Sequence, residues 1–216
     1  MSLAGCLSAA LLLAAQGAGA QDWEALAERP SDAARGAAVL ERLRDGAVEL
    51  TALAQNLAFE DAQRAAEAFE LELSLALFRT LVERTDAPWA RYNLAIVEHR
   101  AGDTAASDAL LADMLDSQPA VEAPGLWSQR GIFAWGAGND ATALRHFGQA
   151  LVRGSADASA ILAREALARH NLGPARAGFR AALERDRAHP WALRGWGLAL
   201  LTPKAASATP MAEPTD

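Results

Sequence analysis

The sequence predicts an all-α protein built from stacked, antiparallel helical hairpins, and three observations lead to this prediction. Alanine and leucine dominate the 216 residues whereas Tyr, Val, Ile and Thr are sparse, and this composition favours helix over strand. Apolar residues recur at helical spacing along much of the chain. The segment Leu126–Leu151 places Trp127, Gly131, Gly138 and Phe147 in a two-helix register, and a similar register recurs before and after it.

The first 20 residues carry no charge and predict a cleaved secretory signal peptide, which would place the protein in the periplasm or outside the cell. An apolar run over Leu7–Ala15 precedes Ala18-Gly19-Ala20, the pattern of a signal-peptidase site, although a positively charged start is missing. Cleavage after Ala20 would remove Cys6, the single cysteine, and with it any disulfide or thiolate chemistry.

Two alternatives for this segment stay open. Leu3-Ala4-Gly5-Cys6 resembles a lipobox, which would make the chain a membrane-anchored lipoprotein lipidated on Cys6. A lipobox follows its hydrophobic segment, however, and here that segment follows the cysteine. The other alternative is an uncleaved anchor or a buried helix, and an Ala- and Gly-rich stretch of about 18 residues is marginal for spanning a bilayer. Membrane association is expected only if Cys6 is lipidated or the signal stays uncleaved.

Residues 21–87 are expected to hold N-terminal helices with one degenerate repeat unit over Ala47–Ala87. Ser31 can cap a helix that begins near Asp32. A second helix is predicted from Ala47 to about Leu57, and a third from about Asp61 to Arg84, ending before Pro88. Apolar residues recur at every fourth position of the third helix, namely Ala65, Phe69, Leu73, Leu77 and Leu81.

From Pro88 to Leu201 the repetition is explicit. Small residues stand where two helices would cross closely: Ala95, Gly131, Ala163 and Gly197. Glycine marks the turns of the first two units, whereas His170-Asn171 occupies the turn of the third. A last half-unit begins at Pro190, and residues 202–216, rich in proline and small polar residues, are expected to form a disordered tail.

This recurring order of small, turn and aromatic residues resembles the tetratricopeptide repeat (TPR) family, whose units of about 34 residues are antiparallel helix pairs. The resemblance covers residues 88–201 and implies a right-handed α-solenoid of about three to four units with a C-terminal capping helix. It also implies that the first helices of successive hairpins line a concave groove that binds a peptide. The groove residues so implied are Trp89, Tyr92, Ile96, His99, Arg100, Ser128, Ile132, Trp135, Arg164, Trp191 and Arg194.

Aromatic and arginine side chains make up much of this predicted groove, a composition typical of interface hot spots. Arginines can hold a carboxylate in two parallel hydrogen bonds, so a peptide C-terminus or an acidic side chain is the predicted ligand group. The carboxylate clamp of chaperone-binding TPR proteins is not reproduced, since only Asn93 and Arg164 match it. The competing interpretation is that Trp89 and Trp191 simply pack against neighbouring loops.

The sequence contains no pattern typical of a catalytic, cofactor-binding or metal-binding site, and we expect a protein that is not an enzyme. Its histidines are scattered, at His99, His146, His170 and His189. One acidic group is interpreted as a solvated helix face: Glu60, Asp61, Glu67, Glu70 and Glu72. A formal net charge of −7 argues against a nucleic-acid partner, because binding phosphates requires a basic surface.

These observations predict a protein–protein interaction adaptor of the cell envelope that binds a peptide or protein segment in its concave groove. The alternative is a structural or self-associating subunit of an envelope assembly complex, which the long apolar stripe of the N-terminal helices suggests.

Overall fold

The computed structural model describes residues 22–117 and 123–202, and these residues form two compact units, one on each side of the gap. Both units consist of α-helices joined by short connections, without a β-strand among the described residues. The predicted signal peptide, the alternative lipidation site Cys6 and residues 203–216 of the predicted tail lie outside the described residues.

Unit 1 contains two helical hairpins preceded by two further helices. Its helices are α1 (residues 22–27), α2 (Ala33–Arg44), α3 (Ala52–Glu67), α4 (Leu71–Thr85), α5 (Pro88–Arg100) and α6 (Thr104–Ser117). Helix α3 pairs with α4 and α5 with α6, while α2 packs on the first pair and α4 packs against α5. Buried apolar side chains, among them Trp23, Leu43, Leu77 and Phe78, form one continuous core in this unit.

Unit 2 contains two hairpins followed by a lone helix. Its helices are α7 (Pro124–Gly136), α8 (Asp140–Val152), α9 (Ala156–Ala168), α10 (Leu172–Arg185) and α11 (Pro190–Leu201). Helix α7 pairs with α8 and α9 with α10, and α11 packs on α10 and α9. The predicted all-α, TPR-like arrangement of antiparallel helix pairs that pack in chain order is therefore confirmed within each unit.

All four hairpins within the described residues turn through the same three-residue connection. Its middle residue adopts left-handed backbone angles in every case: Phe69 (φ 60°), Gly102 (φ 92°), Gly138 (φ 73°) and His170 (φ 58°). In each turn the following residue donates its backbone N–H to a carbonyl five residues earlier, as Glu70 does to Ala65, which is the Schellman pattern of helix termination. This shared geometry shows that the first hairpin is built like the other three.

The single helix predicted over residues 61–84 is wrong, because the structure divides it into α3 and α4. Phe69 was predicted to lie on the apolar stripe, but it lies in the turn with 76% of its surface exposed. The helix predicted from Ala47 to about Leu57 is also displaced, since α3 begins at Ala52 behind the capping hydroxyl of Thr51. Neither glycine nor proline marks the turn at Phe69, so the sequence contained no local signal for it.

The acidic group predicted to be a solvated face includes one fully buried carboxylate. Asp61 is 0% exposed and accepts hydrogen bonds from the Arg35 guanidinium at 2.7 and 3.0 Å and from the Ser31 hydroxyl at 2.6 Å. Because Ser31 is engaged in this way, Asp32 caps α2 instead. The hydrogen bond with Asp61 raises the pKa of Arg35 further above its usual value. The cluster therefore fastens α2 to α3.

Two of the predicted crossing residues meet a partner helix as expected. A Cβ atom at Gly131 would lie 2.6 Å from the ring of Phe147 in α8, and Ala163 lies against Gly178 of α10. At Gly197, by contrast, a Cβ atom would meet nothing within 4 Å. The prediction of a close crossing at Gly197 is wrong for the described residues, since no described helix follows α11.

Candidate functional site

The candidate site is a cleft between α3 and α5, the first helices of the two hairpins in unit 1. Its volume is about 310 Å³. The lining residues are Ala52, Gln55, Asn56 and Phe59 from α3, and Trp89 and Asn93 from α5. None of these side chains carries a charge, so the cleft combines an aromatic wall with polar, neutral groups.

The aromatic wall is the end of a ladder of rings that starts in the core. Phe78 is 1% exposed, and the ring of Phe59 packs edge-on against it with centroids 6.2 Å apart. Trp89 then packs edge-on against Phe59 at 5.4 Å, while 37% of its surface remains exposed. Because the inner rings are held by the core, the indole of Trp89 is a rigid apolar surface at the cleft.

Carboxamide side chains supply the polar groups of the cleft. The Asn93 amide donates to the Trp89 carbonyl at 2.8 Å, and the Gln55 amide donates to the Leu50 carbonyl at 3.4 Å. Asn56 is exposed on the same face of α3. A carboxamide offers both donors and an acceptor, which is the pairing that a peptide backbone requires.

Of the predicted groove residues in unit 1, the structure brings only Trp89 to this cleft. Tyr92 and Ile96 are half-buried farther along α5. His99 is also half-buried, and burial lowers the pKa of its imidazole below the usual value. The Arg100 guanidinium lies 5.6 Å from the centroid of the exposed Phe69 ring, at the end of α5 remote from Trp89.

In unit 2, the structure brings together two predicted groove residues, Trp135 and Arg164. The Arg164 guanidinium lies 5.8 Å from the Trp135 ring centroid, a cation–π geometry. The same indole packs edge-on against Phe147, with centroids 6.0 Å apart. Arg164 is exposed, so its remaining donors are accessible to a ligand.

The prediction that Ser128 lines the groove is wrong. Ser128 is 2% exposed, and its hydroxyl donates to the Pro124 carbonyl at 3.0 Å and bonds the Ser155 hydroxyl at 2.7 Å. Ser155 in turn caps α9 by accepting from the backbone N–H of Ala158. The role of Ser128 is therefore to tie α7 to the start of α9, since a buried and bonded hydroxyl is not available to a peptide.

Of the remaining predicted residues of unit 2, only Ile132 packs on the same core cluster as Trp135. Ile132 is half-buried against the core cluster around Phe147. Trp191, with 56% of its surface exposed, and Arg194 both lie on α11. Trp191 contacts the ring of His189 edge-on at 6.3 Å, so its packing partner is the residue that caps its own helix.

Sequence reasoning missed the α3 side of the cleft, formed by Gln55, Asn56 and Phe59. The predicted helices placed Gln55 and Asn56 in the last turn of one helix and Phe59 in the break after it, and the turn at Phe69 contains no glycine. The repeat period is the signal that could have found them. Gln55 and Phe59 stand 34 residues before Trp89 and Asn93, which is the spacing expected of equivalent positions in successive hairpins.

The part of the chain that the structure describes contains no group of three or more His, Cys, Asp or Glu side chains able to hold a metal ion. Within residues 22–117 and 123–202, no helix has both the length and the apolar character required to cross a membrane.

Of the comparisons with known proteins, only the comparison with solved structures gives a match. No family model and no curated protein matches the sequence. Among solved structures, the chain is similar to the crystal structure of YrrB, described as a TPR protein with an unusual peptide-binding site. The match has 17% sequence identity and a TM-score of 0.44, and it covers 78% of this chain and 82% of that chain. A likeness at this level assigns neither a family nor a binding site.

Proposed function

We propose that the protein is a protein-interaction adaptor that binds an extended, uncharged peptide segment in the cleft between α3 and α5. The observation that carries the proposal is the ring ladder Phe78–Phe59–Trp89, which ends in a partly exposed indole beside three carboxamides. An apolar surface held by the core loses little conformational freedom on binding, so its contacts contribute efficiently to affinity.

The apolar and the polar side chains of the cleft can contact different parts of a bound peptide. Trp89 offers an indole face to an apolar side chain of the ligand. Asn56, Asn93 and Gln55 lie within the same cleft, where their amides can pair with backbone N–H and C=O groups. Since no charged side chain lines the cleft, an acidic ligand gains no ion pair there. The carboxylate ligand predicted from the arginines stays a proposal for Arg100, Arg164 and Arg194, none of which lines this cleft.

The test selects peptides from a phage-displayed library of random 12-residue peptides on the wild-type protein and measures the binding of the selected peptides by calorimetry. Trp89→Ala removes the apolar wall, and Asn56→Trp fills the cleft from an exposed position. Both substitutions should weaken binding by at least about tenfold, as expected for a central aromatic contact.

The matched control is Ala105→Trp, which introduces the same side chain at an exposed position of α6 outside the cleft. It should leave peptide affinity unchanged. Equal affinity of the selected peptides for wild type, Trp89→Ala and Asn56→Trp would contradict the proposal. Circular dichroism of all variants verifies that the helices are retained.

We also propose that the adaptor acts in the cell envelope. The support comes from the uncharged N-terminal segment and its Ala18-Gly19-Ala20 pattern. Intact-mass measurement of the chain purified from an envelope fraction should give a protein that begins at Gln21. A lipid-modified mass on Cys6 would favour the lipoprotein alternative, and a full-length chain confined to the cytosol would rule out an envelope role.

A further inference from the structure

The lone helix α11 has an apolar face that is largely exposed among the described residues. Its buried side points toward α9 and α10 through Ala192, Gly195 and Ala199. On the opposite side, large apolar side chains are exposed: Leu193 (51%), Leu200 (54%) and Leu201 (83%). A terminal helix that only capped the stack would present a polar outer face, and α11 does not.

The other first helices of unit 2 show what this face is built to contact. In α7, three residues spaced by four face the partner helix α8. Trp127 lies 5.5 Å from the ring of His146, Gly131 lies against Phe147, and Trp135 packs on Phe147. In α9 the equivalent residues Ser159 and Ala163 lie against Gly178 of α10.

Counted from the first residue of each helix, Trp127, Gly131 and Trp135 of α7 correspond to Leu193, Gly197 and Leu201 of α11. This trio lies on the face where a partner helix would cross. The space above Gly197 is open because no described helix takes the place that α8 has over α7.

Residues 203–216, which follow α11 in the sequence, contain three prolines and no proline-free run longer than six, whereas α8 has 13 residues.

We propose that this face is the contact between two copies of the chain, with two α11 helices packed antiparallel across a two-fold axis at Gly197. Beyond the proposed peptide cleft of unit 1, this is an independent surface in unit 2. The order Leu193-x-x-x-Gly197-x-x-x-Leu201 reads the same in both directions, so it is self-complementary. A two-fold axis at Gly197 places Leu193 of each copy against Leu201 of the other, as an isologous interface requires.

The charges on α11 are compatible with this register. Arg194 is the only charged residue of the helix, and the two-fold axis sets it opposite Leu200 of the other copy instead of opposite a second arginine. The glycine at the centre lets the two backbones approach closely, while the flanking leucines pack on either side. The helix has 12 residues, about 18 Å, so this contact is smaller than a standard interface and the dimer is expected to dissociate in the micromolar range.

Sedimentation of the full chain over about 1–300 µM, the range in which a weak dimer dissociates, tests the association. The wild type should show a reversible monomer–dimer equilibrium. Leu193→Arg and Leu201→Arg should each weaken it by at least about tenfold, because symmetry introduces every substitution twice. Val152→Arg alters an apolar residue on α8 that is as exposed as Leu201 and serves as the control, with association unchanged.

Cysteine cross-linking in a Cys6→Ser background tests the register. Gly197→Cys should form a disulfide-linked dimer, whereas Leu193→Cys alone should not, since its two copies lie eight residues apart along the helix pair, about 12 Å. A mixture of Leu193→Cys and Leu201→Cys chains should cross-link.

Three outcomes would overturn the proposal. The first is a wild type that stays monomeric at all concentrations, and the second is an association indifferent to Leu201→Arg. The third is a Gly197→Cys chain that cross-links no faster than a Val152→Cys control chain. Trp89→Ala, which tests the cleft, should leave the dimer intact.

Discussion

Gly131 and Gly148 lie on the two helices of the same hairpin, but only Gly131 is crowded. A Cβ atom at Gly131 would lie 2.6 Å from two ring carbons of Phe147, which is itself 1% exposed and cannot move aside. At Gly148 a Cβ atom would meet nothing within 4 Å. Gly131→Ala should destabilise the fold by about 1–2 kcal/mol, because overpacking outweighs the gain in helix propensity of about 1 kcal/mol.

Gly148→Ala is the matched comparison and should stabilise the fold by about 0.5–1 kcal/mol, since the propensity gain acts there alone. Urea unfolding followed by circular dichroism measures both changes under the same conditions. If the two alanines shifted the midpoint in the same direction, the close packing of Gly131 on Phe147 would be wrong.

His99 couples the stability of unit 1 to pH. Burial lowers the pKa of its imidazole in the folded state, so the unfolded chain takes up the proton first as the pH falls. The free energy of unfolding should therefore be highest above the ordinary histidine pKa of about 6.5 and should decrease as the pH falls through the lower, folded-state value. Urea midpoints at about pH 7.5, 6.5 and 5.5 should fall more steeply for wild type than for His99→Gln. Parallel curves for the two proteins would show that His99 does not contribute.

The environment of individual side chains was also the feature that the sequence predicted least completely. The small residues Gly131 and Ala163 could be predicted because a close helix crossing tolerates no bulk. The burial of Ser128 and Asp61 could not, since it depends on Ser155 and Arg35, which are 27 and 26 residues away in the chain. A polar residue on a helix is exposed or buried according to what its neighbours in space supply, and a periodic pattern does not contain that information.

At the scale of helices and turns, Phe69 has a backbone conformation that is unusual for an aromatic residue. It has the left-handed backbone angles that glycine adopts in two of the other hairpin turns, and an aromatic side chain makes such angles unfavourable. Phe69→Gly should raise the free energy of unfolding by about 0.5 kcal/mol. The relief of about 1 kcal/mol of backbone strain is partly offset by the loss of the exposed contact with Arg100.

The reverse substitution in the next turn, Gly102→Phe, should have the opposite effect on the free energy of unfolding. Gly102 has φ 92° and open space around it, so Gly102→Phe adds backbone strain without a steric clash. It should lower the stability by about 1–2 kcal/mol in thermal or urea unfolding. A neutral outcome for both substitutions would mean that the turn geometry at Phe69 and Gly102 is not maintained in solution.

The helices that could be predicted are those whose ends have a chemical marker. Pro88, Pro124 and Pro190 begin helices because a first-turn proline loses no hydrogen bond, and the starts at Pro88 and Pro190 were predicted correctly. The boundary between α3 and α4 has no such marker, so a continuous apolar pattern was read as one helix. The missed boundary also concealed half of the candidate cleft, since Gln55 and Phe59 face α5 only when α3 forms the first helix of a hairpin.

At the scale of the whole molecule, the net charge and the chemistry of the cleft act on different steps of binding. The chain has a formal charge of −7, which attracts cationic ligands at a distance, whereas the cleft is lined only by uncharged side chains. Long-range charge changes the rate of encounter, and short-range contacts determine how long the complex lasts. The two effects can therefore be separated by kinetics.

A peptide selected on the cleft, extended by three lysines or three glutamates outside its bound segment, makes this separation measurable. At low salt the lysine-tagged peptide should associate faster than the glutamate-tagged one, and the difference should shrink as salt screens the field of the protein. The dissociation rates should be similar for both tags and change little with salt, because the contacts with Trp89 and the carboxamides involve no charge. Trp89→Ala should raise the dissociation rate of both peptides alike, as measured by surface plasmon resonance. A dissociation rate that follows the tag charge and the salt concentration would indicate that charged groups hold the ligand, contrary to the proposed cleft.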